Sequence, residues 1–137
     1  MWWIYALLSA FFAALTAIFA KIGIKGVDTN IATAIRTVVI LIVAWGIVLF
    51  KGSQGSIANL TRMNWIFIVL SGLATGLSWI FYFKALQLGE VSQVAPVDKL
   101  SVALAIVLSV IFLGEPLTWK NTAGALLIIS GTLVLIF

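Results

Sequence analysis

The chain is a succession of long apolar runs separated by short polar stretches. Three runs without any charged residue, 1–20, 63–83 and 121–137, contain 20, 21 and 17 residues. The hydrocarbon core of a bilayer is about 30 Å thick and is crossed by roughly 20 apolar residues in a helix, where every backbone polar group is paired within the segment. Each of these runs therefore predicts one membrane-spanning helix.

Two further runs, 37–50 and 100–114, contain only 14 and 15 residues. They can cross a bilayer only if each helix extends backwards through the charges that precede it, which places Arg36, Asp98 and Lys99 inside the edge of the membrane. The five runs predict an all-α integral membrane bundle of five transmembrane helices in one domain, 1–137. The predicted helices are 2–22, 30–50, 64–87, 93–114 and 119–137, with a short interfacial helix over 56–62.

The composition supports a membrane protein and removes most enzyme chemistry. Hydrophobic residues make up 64% of the chain and charged residues 9%, whereas a soluble domain has about 45–50% and about 25%. Cysteine and histidine are absent, which removes thiolate and imidazole metal ligands and every catalytic pair that uses them. We therefore expect no resident metal, no cofactor and no enzyme.

The cations are scattered along the chain and lie on both sides of the predicted bundle. The net charge of the chain is +4 and its eight cations form no basic run, so we expect membrane-flank charge and no nucleic-acid partner. Orientation normally follows the Lys and Arg excess of one side. The side of the N-terminus has Lys51, Arg62 and Lys120, and the other side has Lys21, Lys25, Arg36, Lys84 and Lys99. This near balance fits one orientation, or insertion both ways that would pair two copies antiparallel.

Small residues form stripes on three of the predicted helices. In the first helix, alanines recur at spacings of four and three, and the third and fifth helices carry pairs of glycines. In lipid, helices associate by close packing, which small residues permit. The predicted packing residues are Ala10, Ala13, Ala17, Gly72, Gly76, Gly124 and Gly131.

Arg36, about two turns into the second helix, is the strongest candidate for a functional charge. A charge inside a membrane is costly and generally faces the bundle interior or a wet cavity. A guanidinium can hold a carboxylate or phosphate through two hydrogen bonds. The alternative is that Arg36 snorkels to the interface or pairs with Asp98 as a static brace. Lys84, one turn from the end of its helix, has the same alternatives.

Pro96, near the start of the fourth span, also has two interpretations. A helix that begins upstream leaves the carbonyl of Ser92 without its usual donor, and transporters bind substrates at such broken helix ends. A helix that begins at Pro96 has a favourable first residue, with Asp98 well placed in the first turn. The predicted substrate-binding residues are Arg36, Lys84, Ser92, Pro96, Asp98 and Lys99.

A series of residues in the second half of the chain resembles a known family. The series comprises Tyr82-Phe83-Lys84-Ala85-Leu86, Gly89, Ser92, Val94-Ala95-Pro96, Leu113-Gly114-Glu115, Gly124 and Ser130-Gly131. This order is similar to the repeat of EamA-type transporters in the drug/metabolite transporter superfamily, and Arg36 matches an arginine that such repeats carry early in the second helix. Asp98-Lys99 departs from many members, which have small or hydroxyl residues there.

The resemblance implies a membrane carrier. Typical members contain two five-helix repeats of opposite orientation, and this chain holds one, which implies an inverted homodimer or a second EamA-like repeat as partner. We expect transport of small metabolites, amino-acid-like or anionic, by alternating access in the plasma (inner) membrane. The alternative is a non-transporting accessory or scaffold subunit. An intramembrane enzyme is the weakest option, because no nucleophile–base or two-carboxylate pair stands out.

Overall fold

The computed structural model describes residues 1–137 and is entirely helical. Five segments are long and apolar enough to cross a membrane, which confirms the predicted class and number of spans; α4 and α5 together form the fourth. A 3-10 helix, Ser53–Asn59, separates α2 from α3. The α-helices are α1 (Trp2–Gly23), α2 (Thr29–Lys51), α3 (Arg62–Leu88), α4 (Val91–Asp98), α5 (Leu100–Leu113) and α6 (Trp119–Ile136).

Polar side chains fix the points at which three of the spans begin. Asp28 accepts hydrogen bonds of 2.8 and 3.2 Å from two amides in the first turn of α2. At the start of α3, the Thr61 amide donates to the Asn64 side chain at 3.0 Å and the Asn64 amide donates to the Thr61 hydroxyl at 3.2 Å. The Thr118 hydroxyl caps α6. These groups satisfy amides that have no partner within the helix.

The short helix predicted over 56–62 forms three residues earlier, as the 3-10 helix Ser53–Asn59. It ends before Thr61, because that residue already belongs to the cap of α3. Its apolar side is turned to α2, where Ile57 and Trp45 help to line a small cavity of about 200 Å³. The link is therefore packed against a span.

The fourth span differs from the single helix predicted over 93–114, because it is interrupted at Lys99. α4 begins at Val91, so Pro96 lies inside a helix and cannot donate to the Ser92 carbonyl. The Lys99 amide donates to the carbonyls of Ala95 at 3.3 Å and Pro96 at 3.0 Å. This tightened turn ends α4, and it favours the first interpretation of Pro96, a helix that begins upstream of the proline.

The chain divides into two compact units, residues 20–87 and residues 1–19 with 88–137. In the second unit, α6 packs against both α4 and α5. Thr132 of α6 is only 3% exposed. Its hydroxyl lies 3.2 Å from the Pro96 carbonyl and 2.8 Å from the carbonyl of Ile128 in its own helix. The single hydroxyl proton is therefore shared between a carbonyl of its own helix and the carbonyl beside the interruption.

In the unit of residues 20–87, α2 and α3 run antiparallel. Nε2 of the Gln87 side chain, near the end of α3, donates to the Val27 carbonyl just before α2, at 3.0 Å. Further along, Arg36 of α2 lies against Trp79 of α3. Phe83 and Leu86 of α3 are the most deeply buried large side chains of the chain. The core of this unit thus lies at the second half of α3, beside the first half of α2.

Most of the surface of the spans is uncovered in the single chain. Only 6% of the most apolar window of each span is buried. Among the predicted packing residues, Ala17 is buried, and Gly76 and Gly124 are half-buried. The exposed ones are Ala10, Ala13, Gly72 and Gly131. These exposed faces are available to lipid or to another protein chain, and their role in packing stays a prediction.

We expect Thr132→Val to lower the free energy of unfolding by about 0.6 kcal/mol, and by no more than about 1.7 kcal/mol, the range for hydrogen bonds between membrane helices. The matched control is Thr75→Val, because the Thr75 hydroxyl donates only to Ser71 of its own helix. Equilibrium unfolding of the purified protein by dodecyl sulfate in mixed micelles gives both values. Equal losses in the two variants would contradict a stabilising bond to Pro96.

Candidate functional site

Arg36 lies on α2, and its guanidinium rests on two aromatic rings of α3. The central carbon is 4.4 Å from the centre of the Trp79 ring and 4.9 Å from the centre of the Phe83 ring. These aromatic residues are four positions apart, so they share one face of the helix. Both distances are within the range at which a ring face attracts a cation. The aromatic pair therefore holds the charge within a membrane-spanning segment.

One nitrogen of this guanidinium lacks a hydrogen-bond partner. Nη1 of Arg36 is buried and has no acceptor within reach. Aromatic faces attract the charge, but they offer no lone pair in the plane of the guanidinium fork. A buried donor without an acceptor is costly in an apolar environment. The site can therefore take an oxygen acceptor, and a carboxylate or phosphate matches the fork best.

Lys84 lies one turn beyond Ile80 on α3, and its side chain is exposed. Its Nζ is 3.4 Å from Oε1 of Gln87, and Nε2 of the same Gln87 side chain donates to the Val27 carbonyl. The ammonium is thus directed towards the C-terminal end of α3. This direction fits a lysine that snorkels towards the membrane boundary.

The remaining predicted site residues lie around the interruption of the fourth span. Asp98 and Lys99 form an ion pair of 3.2 Å, with side chains that are 35% and 57% exposed. The Ser92 hydroxyl lies 3.4 Å from the carboxylate of Glu90, the residue that precedes α4. The Pro96 carbonyl accepts the hydrogen bond from Thr132. The structure therefore brings these residues to one short stretch, in which the partner of Asp98 is Lys99.

Sequence reasoning missed three residues that shape these sites. Trp79 and Phe83 carried a usable signal, because two aromatic residues four apart lie on one helix face, within two turns of Lys84. Thr132 carried no such signal, since a threonine inside an apolar run normally bonds to its own helix. Its bond to Pro96 depends on how α6 packs against α4.

The EamA-like transporter family matches the chain over residues 1–137. The chain belongs to the EamA-like transporter family. No solved structure matches it. The family confirms the resemblance inferred from the sequence and assigns the molecule to multi-pass membrane transporters, a class that implies a bilayer and a transported substrate.

Two relatives show how the EamA-family chain compares in length. The "Uncharacterized transporter in cobO 3'region" of Sinorhizobium sp is 48% identical over 134 residues, which cover 98% of this chain and 95% of the relative. The "Uncharacterized transporter YxxF" of Bacillus subtilis (strain 168) is 30% identical over 129 residues, covering 93% of this chain and 40% of the relative. The chain thus spans almost all of the first relative and less than half of the second.

The Leu113-Gly114-Glu115 motif of this EamA-family chain has a structural explanation. α5 ends at Leu113, and Gly114 has a φ of +66°, a conformation that side chains with a Cβ rarely adopt. The Glu115 amide then donates to the carbonyl of Ser109 at 3.3 Å. The motif therefore terminates the fourth span and turns the chain towards α6.

We expect Arg36→Met to leave the free energy of unfolding unchanged or to raise it. The variant loses a cation–π contact that contributes about 0.5–2 kcal/mol, and it removes a buried unpartnered donor that costs about 1–3 kcal/mol. Unfolding by dodecyl sulfate in mixed micelles measures the difference, with Arg62→Met at the exposed start of α3 as control. A loss of about 3 kcal/mol or more, typical of breaking a buried ion pair, would indicate a static brace.

Proposed function

We propose that this EamA-family chain transports small metabolites that carry a carboxylate or another compact anionic group, including amino-acid-like solutes, by alternating access. The observation that carries this proposal is the buried Nη1 of Arg36, which has no hydrogen-bond partner. A carboxylate of the substrate would supply the missing acceptor through two charge-assisted hydrogen bonds. Trp79 and Phe83 would keep the fork in one orientation, which lowers the entropic cost of binding.

The same charge gives a physical basis for coupling between binding and movement. An unpaired guanidinium in a span is expensive to enclose in lipid or protein, and its free energy falls when an anion neutralises it. We infer that the substrate-loaded site can become enclosed during the transport cycle more readily than the empty one. Lys84 would add positive charge between the membrane boundary and Arg36, where it would attract an anionic substrate.

The interrupted fourth span supplies the other proposed contacts. Inside α4, Pro96 frees the carbonyl of Ser92, and such broken helices line substrate sites in transporters. The Asp98–Lys99 ion pair is partly exposed, so either member can exchange its partner for a charged group of a substrate. We propose Ser92, Pro96, Asp98 and Lys99 as substrate contacts on this basis.

Transport by proteoliposomes tests the proposal. Purified protein should exchange at least one member of a panel of amino acids and dicarboxylates across liposomes, and it should not exchange choline or glucose. Arg36→Lys should slow this exchange at least about tenfold, because a hydrogen bond to a charged group contributes about 1.5–3 kcal/mol and an ammonium lacks the fork. Arg62→Lys, the same change at the other arginine, should keep the rate.

Two results would contradict the proposed transport function. Exchange only of solutes that have no carboxylate, phosphate or similar anionic group would exclude the anion-binding role of Arg36. A protein that moves no solute, together with a cellular phenotype that survives Arg36→Ala combined with Lys84→Ala, would favour the accessory or scaffold subunit. The observation that favours an accessory or scaffold subunit is that most of the surface of the spans is uncovered and could bind another protein.

We also propose that two copies assemble as an antiparallel homodimer in the plasma (inner) membrane, or that one copy pairs with a second EamA-like repeat. Gly72 and Gly131 are exposed, and a Cβ added at either would meet no atom within 4 Å. Packing within the chain therefore gives no reason for glycine in these helices, where alanine would be favoured by about 1 kcal/mol. A neighbouring chain that packs closely against them would supply a reason.

The near balance of cations supports insertion in both orientations. Full-length fusions with a C-terminal fluorescent protein, active in the cytoplasm, and with alkaline phosphatase, active outside, should both give signal, in a normalised ratio of about 1. Two lysines added to the 51–62 link should shift the population to one orientation. Signal from only one of the unmodified fusions would exclude the homodimer of inverted copies.

A further inference from the structure

Another cavity lies in the unit of residues 20–87, between the end of α1, the link that follows it and the end of α3. Its volume is about 340 Å³, comparable with small ligand sites. We call it the Lys25 cavity. It is lined by Lys21, Ile24, Lys25, Gly26, Leu86 and Gln87. None of these residues belongs to the proposed substrate contacts.

The Lys25 cavity has an apolar floor and a fixed rim. Ile24 and Leu86 form the floor and are 2% and 0% exposed. Gly26 has a φ of +70°, which lets the link turn sharply between α1 and α2. Nε2 of the Gln87 side chain donates to the Val27 carbonyl at 3.0 Å, which connects the link to the end of α3. The cavity is therefore built by the fold before any ligand binds.

The two lysines of the Lys25 cavity differ in what they contact. Lys21 Nζ donates to the Leu86 carbonyl at 2.5 Å, near the end of α3. This position suits a cation, because the C-terminal end of a helix carries partial negative charge. Lys25 is exposed and makes no hydrogen bond or ion pair within the chain. Interaction with the C-terminal end of α3 thus accounts for the position of Lys21, whereas no contact within the chain accounts for Lys25.

No carboxylate within the same unit neutralises Lys25. Asp28 is the one acidic residue of residues 20–87. Its side chain accepts from two amides at the start of α2. The cavity therefore combines two cations, a carboxamide and an apolar floor, with no anion of its own. Such a lining is complementary to an anion that has an apolar portion.

We propose that the Lys25 cavity binds a phosphate-bearing anion at the boundary between membrane and water. Lys25 lies between the end of α1 and the start of α2, at the level where lipid headgroups meet a membrane span. Lys25 would hold the phosphate charge, Lys21 would add to the local potential, and the floor would receive apolar atoms. The phosphate belongs to an anionic phospholipid or to a soluble phosphate, and the experiment distinguishes the two. The proposal does not depend on transport.

Native mass spectrometry of the detergent-purified full chain tests this site. The chain is titrated separately with phosphatidylglycerol, with phosphatidylcholine and with inorganic phosphate. Phosphatidylglycerol should bind in preference to phosphatidylcholine, and Lys25→Gln should weaken its binding about fivefold, the share expected of one lysine near a membrane surface. Lys25→Arg should retain binding. The matched control is Lys51→Gln at the other end of α2, which should bind as the wild type does.

The possible results distinguish a lipid site from a soluble phosphate site, and both of these from results that overturn the proposal. Preference for phosphatidylglycerol that depends on Lys25 identifies a lipid site. Inorganic phosphate that binds alone, or displaces the lipid, with the same dependence on Lys25 identifies a soluble phosphate site. Equal weakening by Lys25→Gln and Lys51→Gln would show unspecific charge attraction and overturn the proposal, as would binding that neither variant changes.

Discussion

The cost of placing a cation inside a membrane constrains this molecule more than any other single feature. Arg36 lies in a span, and the protein meets that cost in part, through the faces of Trp79 and Phe83. The rest of the free-energy penalty comes from Nη1, which is buried without an acceptor. In our proposal, the anionic group of a substrate supplies the missing acceptor, since charged groups inside membranes often mark substrate pathways.

The fourth span adds a second departure from regular structure. A membrane helix normally pairs its backbone groups internally. Here Pro96 and the turn at Lys99 divide the span into α4 and α5, and Thr132 of the neighbouring α6 supplies a donor to the carbonyl of Pro96. The interruption is thus supported by a neighbouring helix. A span of this kind can bend at one place while its two halves stay helical.

The number of spans was predictable from the sequence because the length of an apolar run is set by the thickness of the bilayer. Arg36 stood out for the same reason, since the run after it is too short to cross alone. The sequence alone did not decide whether the fourth span is interrupted, because Pro96 suits both a helix start and a helix interior. The start of the helix at Val91 depends on packing. The shared helix face of Trp79 and Phe83 could be read from the sequence, but their contact with Arg36 could not, because it depends on how α2 packs against α3. The bond of Thr132 was hidden too, since Thr33, Thr37 and Thr75 bond only to their own helices.

The central claim is that Arg36 binds the carboxylate of a substrate, and solid-state NMR of the protein in bilayers tests this claim most directly. The chain contains only two arginines, Arg36 and Arg62, so nitrogen-15 labelling of arginine gives two resolvable guanidinium groups. With a mixture of amino acids labelled with carbon-13 at the carboxylate, the account predicts a nitrogen–carbon contact at one arginine, which disappears in Arg36→Lys. A contact that persists in Arg36→Lys, or no contact under conditions in which the protein transports those amino acids, would contradict it.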